Sequence, residues 1–484
     1  MLYFCDIIQK NDFMKHRILL FAATLLTTAV VLAQGNIHEQ SSSYEWPTDT
    51  AVLHKLRTWQ DQKFGVLLHW GLYSVPGIVE SWSICDEEWI TRDTTRTYQQ
   101  YKDWYWGLAD EFCPKAFNPE QWAQVMQQAG MRYMIFTTKH HDGFCLWDSR
   151  ETNFTIAHHA FRDDPRHDVL RPVLQAFRDR EMMIGTYFSK PDWHSQFYWW
   201  DVYPTKGRNV NYSIKQNPWR WQQFCRFTYR QLEEILSGYG GIDLLWLDGG
   251  WVCPENREQD IDMPHIAEMA RRHQPGLLVV DRTIHGPYEN YQTPERTVPD
   301  AQLLYPWESC IPLSDDWGWV PRPRWKSPRQ VINTLIEVVA KGGNLVLGVG
   351  PTAEGIIQPE VVERLQVIGR WLNNYGEAIY NTLPTQPYHA PQPTKLSGSS
   401  ASSGDLWFTA SKDGRTRYAL YALPDSASLP TTLVWQGCIP QRGTPVRLLG
   451  SHKRLKWAER DGTVTIQLPR GLPEESFALE FSTR

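Results

Sequence analysis

The chain alternates between short, unbroken apolar runs and longer stretches whose apolar residues recur every three or four positions. Phe64-Gly65-Val66-Leu67-Leu68 is the first such run, ending at His69-Trp70-Gly71. A run without polar alternation is the pattern of a strand covered on both faces. It follows a helical stretch, Ala51 to Gln60. Asn118-Pro119-Glu120 has the form of a helix start, with asparagine as the cap and proline in the first turn. Trp122, Val125, Met126 and Ala129 follow at helical spacing before Gly130. Met134-Ile135-Phe136 is the next strand, and it breaks at Lys139-His140-His141-Asp142-Gly143.

The alternation then repeats. Helices are expected at Val169 to Arg180, Trp219 to Leu236, His265 to His273, Ser327 to Lys341 and Glu360 to Tyr375. Strands are expected at Met183 to Phe188, Ile242 to Leu247, Leu277 to Val280 and Asn344 to Leu347, with a weaker one at Leu303-Leu304-Tyr305 ending at Trp307-Glu308. Strands alternating with helices, with polar residues gathered at the strands' C-terminal ends, indicate an α/β fold with a parallel sheet. The series fits a (β/α)8-like TIM barrel with one strand degenerate. No GxGxxG follows the first strand, and the Gly342 to Gly355 loop lacks the Lys-Ser/Thr of a P-loop, which argues against a doubly wound dinucleotide or phosphate binder.

After Pro384 the pattern changes to short, alternating, turn-bounded segments: Leu406 to Thr409, Tyr418 to Tyr421, Thr432 to Trp435, Thr463 to Ile466 and Phe477 to Phe481. These predict a C-terminal all-β sandwich. The Ser/Gly tract Ser397 to Gly404 reads either as a linker or as a loop inside that domain. The expected organisation is a signal-peptide region at 1–33, a catalytic barrel at 45–383 and the sandwich at 384–484. The leader reading rests on a basic Met14-Lys15-His16-Arg17, an apolar Ile18 to Leu32 and a small-residue site ending at Ala33, with Met14 as an alternative start. It implies an exported protein, periplasmic, extracellular or lumenal, with no membrane insertion once the leader is gone.

Composition changes this picture in two places. The net charge is −5, so nothing points to a nucleic-acid partner. The 24 tryptophans favour a carbohydrate site, although most aromatic residues in a large domain simply fill its core. The 8 cysteines form no CxxC pair and no regular framework, so free thiols are expected.

The strand ends carry His69, His140, His141, Tyr187, Asp248, Arg282 and Glu308, with Trp70 and Trp246 close by. Adjacent residues of a strand point to opposite sides, so His140 and His141 can face one ligand only where the strand has given way to loop. Three histidines could hold a metal, or could bond sugar hydroxyls as donor and acceptor. Asp248 ends a strand too apolar for a casual charge, and Gly249-Gly250 leaves room for a ligand. Glu295 and Glu308 both lie in regions able to reach the same mouth. Glycoside hydrolysis with retention needs such a carboxyl pair, about 5–5.5 Å apart.

Phe64 to Pro76, Thr138 to Ser149, Trp246-Leu247-Asp248-Gly249-Gly250 and Gly343 to Pro351, in that order, resemble the α-L-fucosidases of glycoside hydrolase family 29, over roughly residues 50–380. The resemblance implies a retaining exo-hydrolase of terminal α-L-fucose acting on fucosylated glycans, without metal or other cofactor. It implies Asp248 as nucleophile, and His69, His140, His141, Tyr187, Trp246 and Arg282 as residues that bind fucose or surround the nucleophile. Glu88-Trp89 resembles a family Glu-Trp-Tyr element with Ile90 in place of the tyrosine, and Glu80 and Trp82 compete for that role. The family's acid/base varies in position, and both Glu295 and Glu308 match places where it occurs. A fucose-binding barrel without turnover and a metal-dependent hydrolase are the rival readings.

Overall fold

The computed structural model describes residues 44–391, 404–451 and 453–483, so the expected leader lies outside the described residues. Seven parallel strands make the first sheet: β1 (Phe64–Leu68), β2 (Tyr133–Lys139), β3 (Met183–Ser189), β4 (Leu244–Asp248), β5 (Leu278–Asp281), β6 (Glu308–Pro312) and β7 (Asn344–Val349). Their order is β5-β4-β3-β2-β1-β7-β6. The gap between β5 and β6 is filled by an irregular stretch. Asn290 donates to Val279 O at 2.9 Å, Glu308 to Gln292 O at 2.8 Å and Cys310 to Pro294 O at 3.1 Å. This stretch supplies the degenerate eighth wall of a TIM-like barrel.

The side chains divide by alternation along the strands. Leu67, Tyr133, Ile135, Tyr187, Leu244, Trp246, Leu278, Val280, Cys310 and Val346 form one buried cluster, the barrel interior. Phe64, Val66, Leu68, Met134, Phe136 and their counterparts form another, under the helices. Gly65 is required here: a Cβ would lie 2.4 Å from the Tyr133 ring, which occupies the interior at the barrel's lower end. Helix Thr50–Gln62, capped by Asp49, closes that end by stacking Trp59 on Tyr291 at 3.9 Å.

One barrel strand differs from expectation. The strand lies at Glu308–Pro312 and not at Leu303–Tyr305, and Leu304 is 90% exposed. A strand written Glu-Ser-Cys-Ile-Pro carries little apolar signal, because its burial comes from neighbours on both sides. Glu308 therefore begins β6 and pairs in register with Asn344, the first residue of β7. The sequence pattern also passed over helix Tyr98–Gly107, held by a Thr97–Gln100 capping box.

The second sheet is antiparallel, ordered β11-β14-β13-β12-β15-β10-β9-β8, and forms the barrel-like sandwich. Its strands are β8 (Thr382–Pro391), β9 (Asp405–Ser411), β10 (Thr416–Ala422), β11 (Thr432–Gln436), β12 (Val446–Leu448), β13 (Lys453–Arg460), β14 (Thr463–Gln467) and β15 (Phe477–Ser482). Three of these, β8, β12 and β13, are strands that the sequence pattern did not place. β8 pairs with β9; of the Ser/Gly tract only Gly404 lies within the described residues. The sandwich is fastened to the barrel's helices by Asn333, which donates to Leu423 O at 2.9 Å, and by Trp371, whose indole donates to Ser476 O at 2.6 Å. All seven cysteines among the described residues are free, and no described helix is long and apolar enough to cross a membrane.

Candidate active site

β2 extends through Lys139, and the chain then turns, so His140 and His141 fall on loop backbone. Their rings come within 4.2 Å of each other. The residues around them act as fasteners. Lys139 is buried and paired with Asp192 at 2.9 Å, and Asp142 accepts from the Tyr105 hydroxyl at 2.7 Å. Gly143 takes φ +83°, and a Cβ there would meet the Asp192 carboxyl at 2.3 Å. His69, the first residue after β1, brings its ring within 5.8 Å of His140 and 5.4 Å of Tyr187.

Burial pushes all three histidines down, His140 to about 4 and the others well below their ordinary range. They are therefore neutral at pH 7, each with one N–H and one lone pair. For His141 the network assigns which is which. Ser189 Oγ donates its proton to Pro191 O at 2.6 Å, so it accepts from His141 Nδ1 at 2.7 Å. That leaves the Nε2 lone pair of His141, buried and without a partner, facing Asp248 Oδ2 at 3.7 Å. It is an acceptor for a ligand hydroxyl. His140 Nδ1 is engaged by Ser81.

Asp248 ends β4. Its Oδ2 accepts from the Tyr187 hydroxyl at 2.6 Å and its Oδ1 from Arg282 Nη1 at 2.7 Å. Burial alone would raise the Asp248 carboxyl. The Arg282 guanidinium, His141 and the Tyr187 hydroxyl outweigh it and hold the group well below the usual carboxylate range. Arg282 lies over the Trp246 ring at 4.4 Å, and its Nη2 donates to Glu295 Oε2 at 2.6 Å. One guanidinium thus grips two carboxylates at the barrel mouth.

Glu308 is placed elsewhere. It is fully buried at the opposite end of the barrel interior, where its Oε2 accepts from Tyr133 at 2.6 Å. Burial pushes its carboxyl up to about 8, against the hydroxyl of Tyr133 and the pull of Arg282. Glu88 is exposed, and Trp89 is 55% exposed. Trp89 lies against Trp82 at 5.3 Å, and it is Trp82 that meets His141 edge-on at 5.1 Å. Glu80 is buried under the same loop.

Sequence reading passed over Trp317, which stacks on His69 at 5.2 Å and donates from its indole to Glu295 Oε1 at 3.3 Å. The available signal was indirect: Gly348, near the end of β7, has no room for a Cβ because the Trp317 ring lies 2.6 Å from that point. Ser81 and Ser189 were not read as histidine partners, since that role of a serine has no local signature.

His140, His141 and Asp248 place one ligand atom each within 4.8 Å of one another, a spacing open to a metal ion. The donor set does not suit one. Both Asp248 oxygens are already committed, one of them to the Arg282 cation, which would repel a metal beside it.

The chain matches the Alpha-L-fucosidase family model over residues 31–377. It is 28% identical over 462 residues to a tissue alpha-L-fucosidase of Homo sapiens, covering 90% of each chain. It is also 28% identical over 452 residues to an alpha-L-fucosidase of Branchiostoma floridae, covering 87% of this chain and 90% of that one. Among solved structures, Thermotoga maritima alpha-fucosidase in complex with fucose aligns with a TM-score of 0.70 at 26% identity, over 90% of this chain and 100% of that one. Alpha-L-fucosidase isoenzyme 1 from Paenibacillus thiaminolyticus aligns with a TM-score of 0.71 at 25% identity, over the same shares.

Proposed function

The chain belongs to the α-L-fucosidase family, and from that premise we propose that it hydrolyses terminal α-L-fucosyl residues of glycans with retention, using Asp248 as nucleophile and Glu295 as acid/base. The observation that carries the assignment is the shared Arg282, bonded to Asp248 at 2.7 Å and to Glu295 at 2.6 Å.

Asp248 is ionised, and its two oxygens are oriented by Tyr187 and Arg282. One of them attacks the anomeric carbon while Glu295, as general acid, protonates the departing glycosidic oxygen. The C–O bond to the aglycone breaks and a fucosyl ester of Asp248 forms. Asp248 has then lost its charge, and Arg282 is left to the newly formed Glu295 carboxylate. That carboxylate takes a proton from water as the water oxygen attacks the anomeric carbon and the bond from that carbon to the Asp248 oxygen breaks, which releases fucose with retained configuration and restores both groups. Neutral His69, His140 and His141 suit the fucose hydroxyls, with His141 Nε2 accepting one. Trp82 and Trp317 wall the pocket and exclude water.

Glu308 fits the acid role less well. It starts its strand, lies at the floor and has no exposed surface, so it has no path to a leaving group. The reading of a binding-only barrel has no support, since both members of the carboxyl pair are present at the mouth. The test is to follow cleavage of an aryl α-L-fucoside by NMR. α-L-Fucose should appear first and mutarotate later; β-L-fucose as the first product would overturn the double displacement.

A further inference from the structure

Glu80 is 3% exposed and is hydrogen-bonded to backbone from a different loop of the barrel mouth. Its Oε1 accepts two backbone N–H groups, from Trp317 at 2.9 Å and from Gly318 at 3.0 Å, 237 residues further along the chain in the first case. Those amides belong to the turn that follows β6. The turn is held sterically on its other sides. A Cβ on Gly350 would lie 2.4 Å from the backbone of Gly318 and Trp319, one on Gly348 would lie 2.6 Å from the Trp317 ring, and one on Gly318 would lie 2.8 Å from Tyr73. Glycines make the seat, and the Glu80 carboxyl is the polar tie that keeps the turn in it. From this turn Trp317 reaches the pocket, stacked on His69 and donating to Glu295 Oε1.

We propose that Glu80 is a positioning residue for the acid/base: it holds the Trp317–Gly318 turn so that the Trp317 indole orients one oxygen of Glu295 while Arg282 orients the other. This rests on the assignment of Glu295 above. Arg282 bonds one oxygen of Glu295 and Arg296 lies 4.0 Å from the other, but these cations set charge more than orientation, whereas the directional indole N–H fixes the carboxyl plane. Proton transfer is sensitive to that plane, because a catalytic group displaced by about 1 Å can lose on the order of a hundredfold in rate. The loop after β1 is thereby tied to the loop after β6 through one buried carboxyl oxygen.

The test compares kcat/KM on two aryl α-L-fucosides, one with a strongly acidic phenol that departs without a proton and one with a weakly acidic phenol that needs it. Glu80→Ala should lose about 10- to 100-fold on the second and less than about threefold on the first. Glu80→Gln, which keeps an acceptor oxygen, should restore both to within about threefold of the parent. Trp317→Phe keeps a ring against His69 without the indole N–H and should reproduce the selective loss, and it decides the matter if Glu80→Ala does not accumulate as folded protein. Equal loss on both substrates, or a Trp317→Phe without selectivity, overturns the proposal. Azide rescue of Glu295→Gly separates the two layers. Failed rescue withdraws Glu295 itself, whereas intact rescue with unselective variants withdraws only the role of Glu80.

Discussion

The mouth and the floor of the barrel each hold a buried carboxyl group, and the protein keeps the two in opposite states. Asp248 ends its strand, touches the Arg282 cation at 2.7 Å and is held ionised. Glu308 begins its strand, accepts from the neutral hydroxyl of Tyr133 at 2.6 Å and is pushed up to about 8, so that it carries a proton at neutral pH. Burial opposes the charge in both places. The difference is a directly bonded cation, which outweighs desolvation at the mouth and acts only from a distance at the floor. A carboxyl group's role in this barrel is therefore set by which end of a strand delivers it: strand C-termini open onto loops that bring Arg282 and Glu295, while strand N-termini abut the tryptophan and tyrosines that close the bottom.

The contrast breaks most visibly at the nucleophile. Asp248→Ala should lower kcat on an aryl α-L-fucoside by more than about a thousandfold, and a variant keeping more than a few per cent of the rate would remove Asp248 from its role. The next effect in size separates the glutamates. Glu295→Gly should fall by about 10²–10⁴-fold and recover with azide, giving the α-configured fucosyl azide, while Glu308→Gly gives no azide product. Azide rescue at Glu308 would exchange the two ends of the comparison.

Arg282→Gln tests the cation directly. With the guanidinium gone, burial dominates and the Asp248 carboxyl rises, so the acid limb of the kcat/KM profile should move to higher pH. An unmoved limb would mean that Arg282 does not set the charge at the mouth. The smallest effect is expected at the floor, where Glu308→Gln should stay within about threefold of the parent's kcat/KM, the range of a substitution that leaves transition-state contacts intact. Its signature is in stability. Glu308 has a folded pKa of about 8 against an ordinary 4.5, so between those values the folded chain holds a proton that the unfolded chain has released. Stability then falls as pH rises through that window. Glutamine has no proton to lose, so the melting temperature of Glu308→Gln should decline less between pH 5 and pH 8 than the parent's. Parallel curves would show that Glu308 is not held neutral.

Much of the barrel was legible residue by residue. Continuous apolar runs placed β1 to β4 to within a few positions, because a strand covered on both faces needs apolar residues throughout. β6 was displaced because Glu308-Ser309-Cys310-Ile311-Pro312 is buried by its surroundings and not by its own composition. Within the site, His69, His140, His141, Tyr187, Trp246, Asp248 and Arg282 were all visible as polar or aromatic residues at strand ends, and the structure gathers them into one pocket. Trp317 was not visible, since it acts from a turn after β6 and its seat is made by glycines at the end of β7. The choice between Trp82 and Trp89 as the pocket wall was likewise open, because two tryptophans seven residues apart in an irregular loop look alike until one is packed.

By itself the sequence determined most of the order of strands and helices, the family and most of the residues able to do chemistry, because periodicity and strand-end polarity are local properties. Only the tertiary structure decided which carboxyl groups share a cation. Glu295 and Glu308 are thirteen positions apart, differ in no local feature that matters to the reaction and sit on neighbouring segments of one wall. Closure of the barrel turns one up toward Arg282 and Asp248 and the other down among tyrosines, and electrostatics depends on that distance, not on separation along the chain.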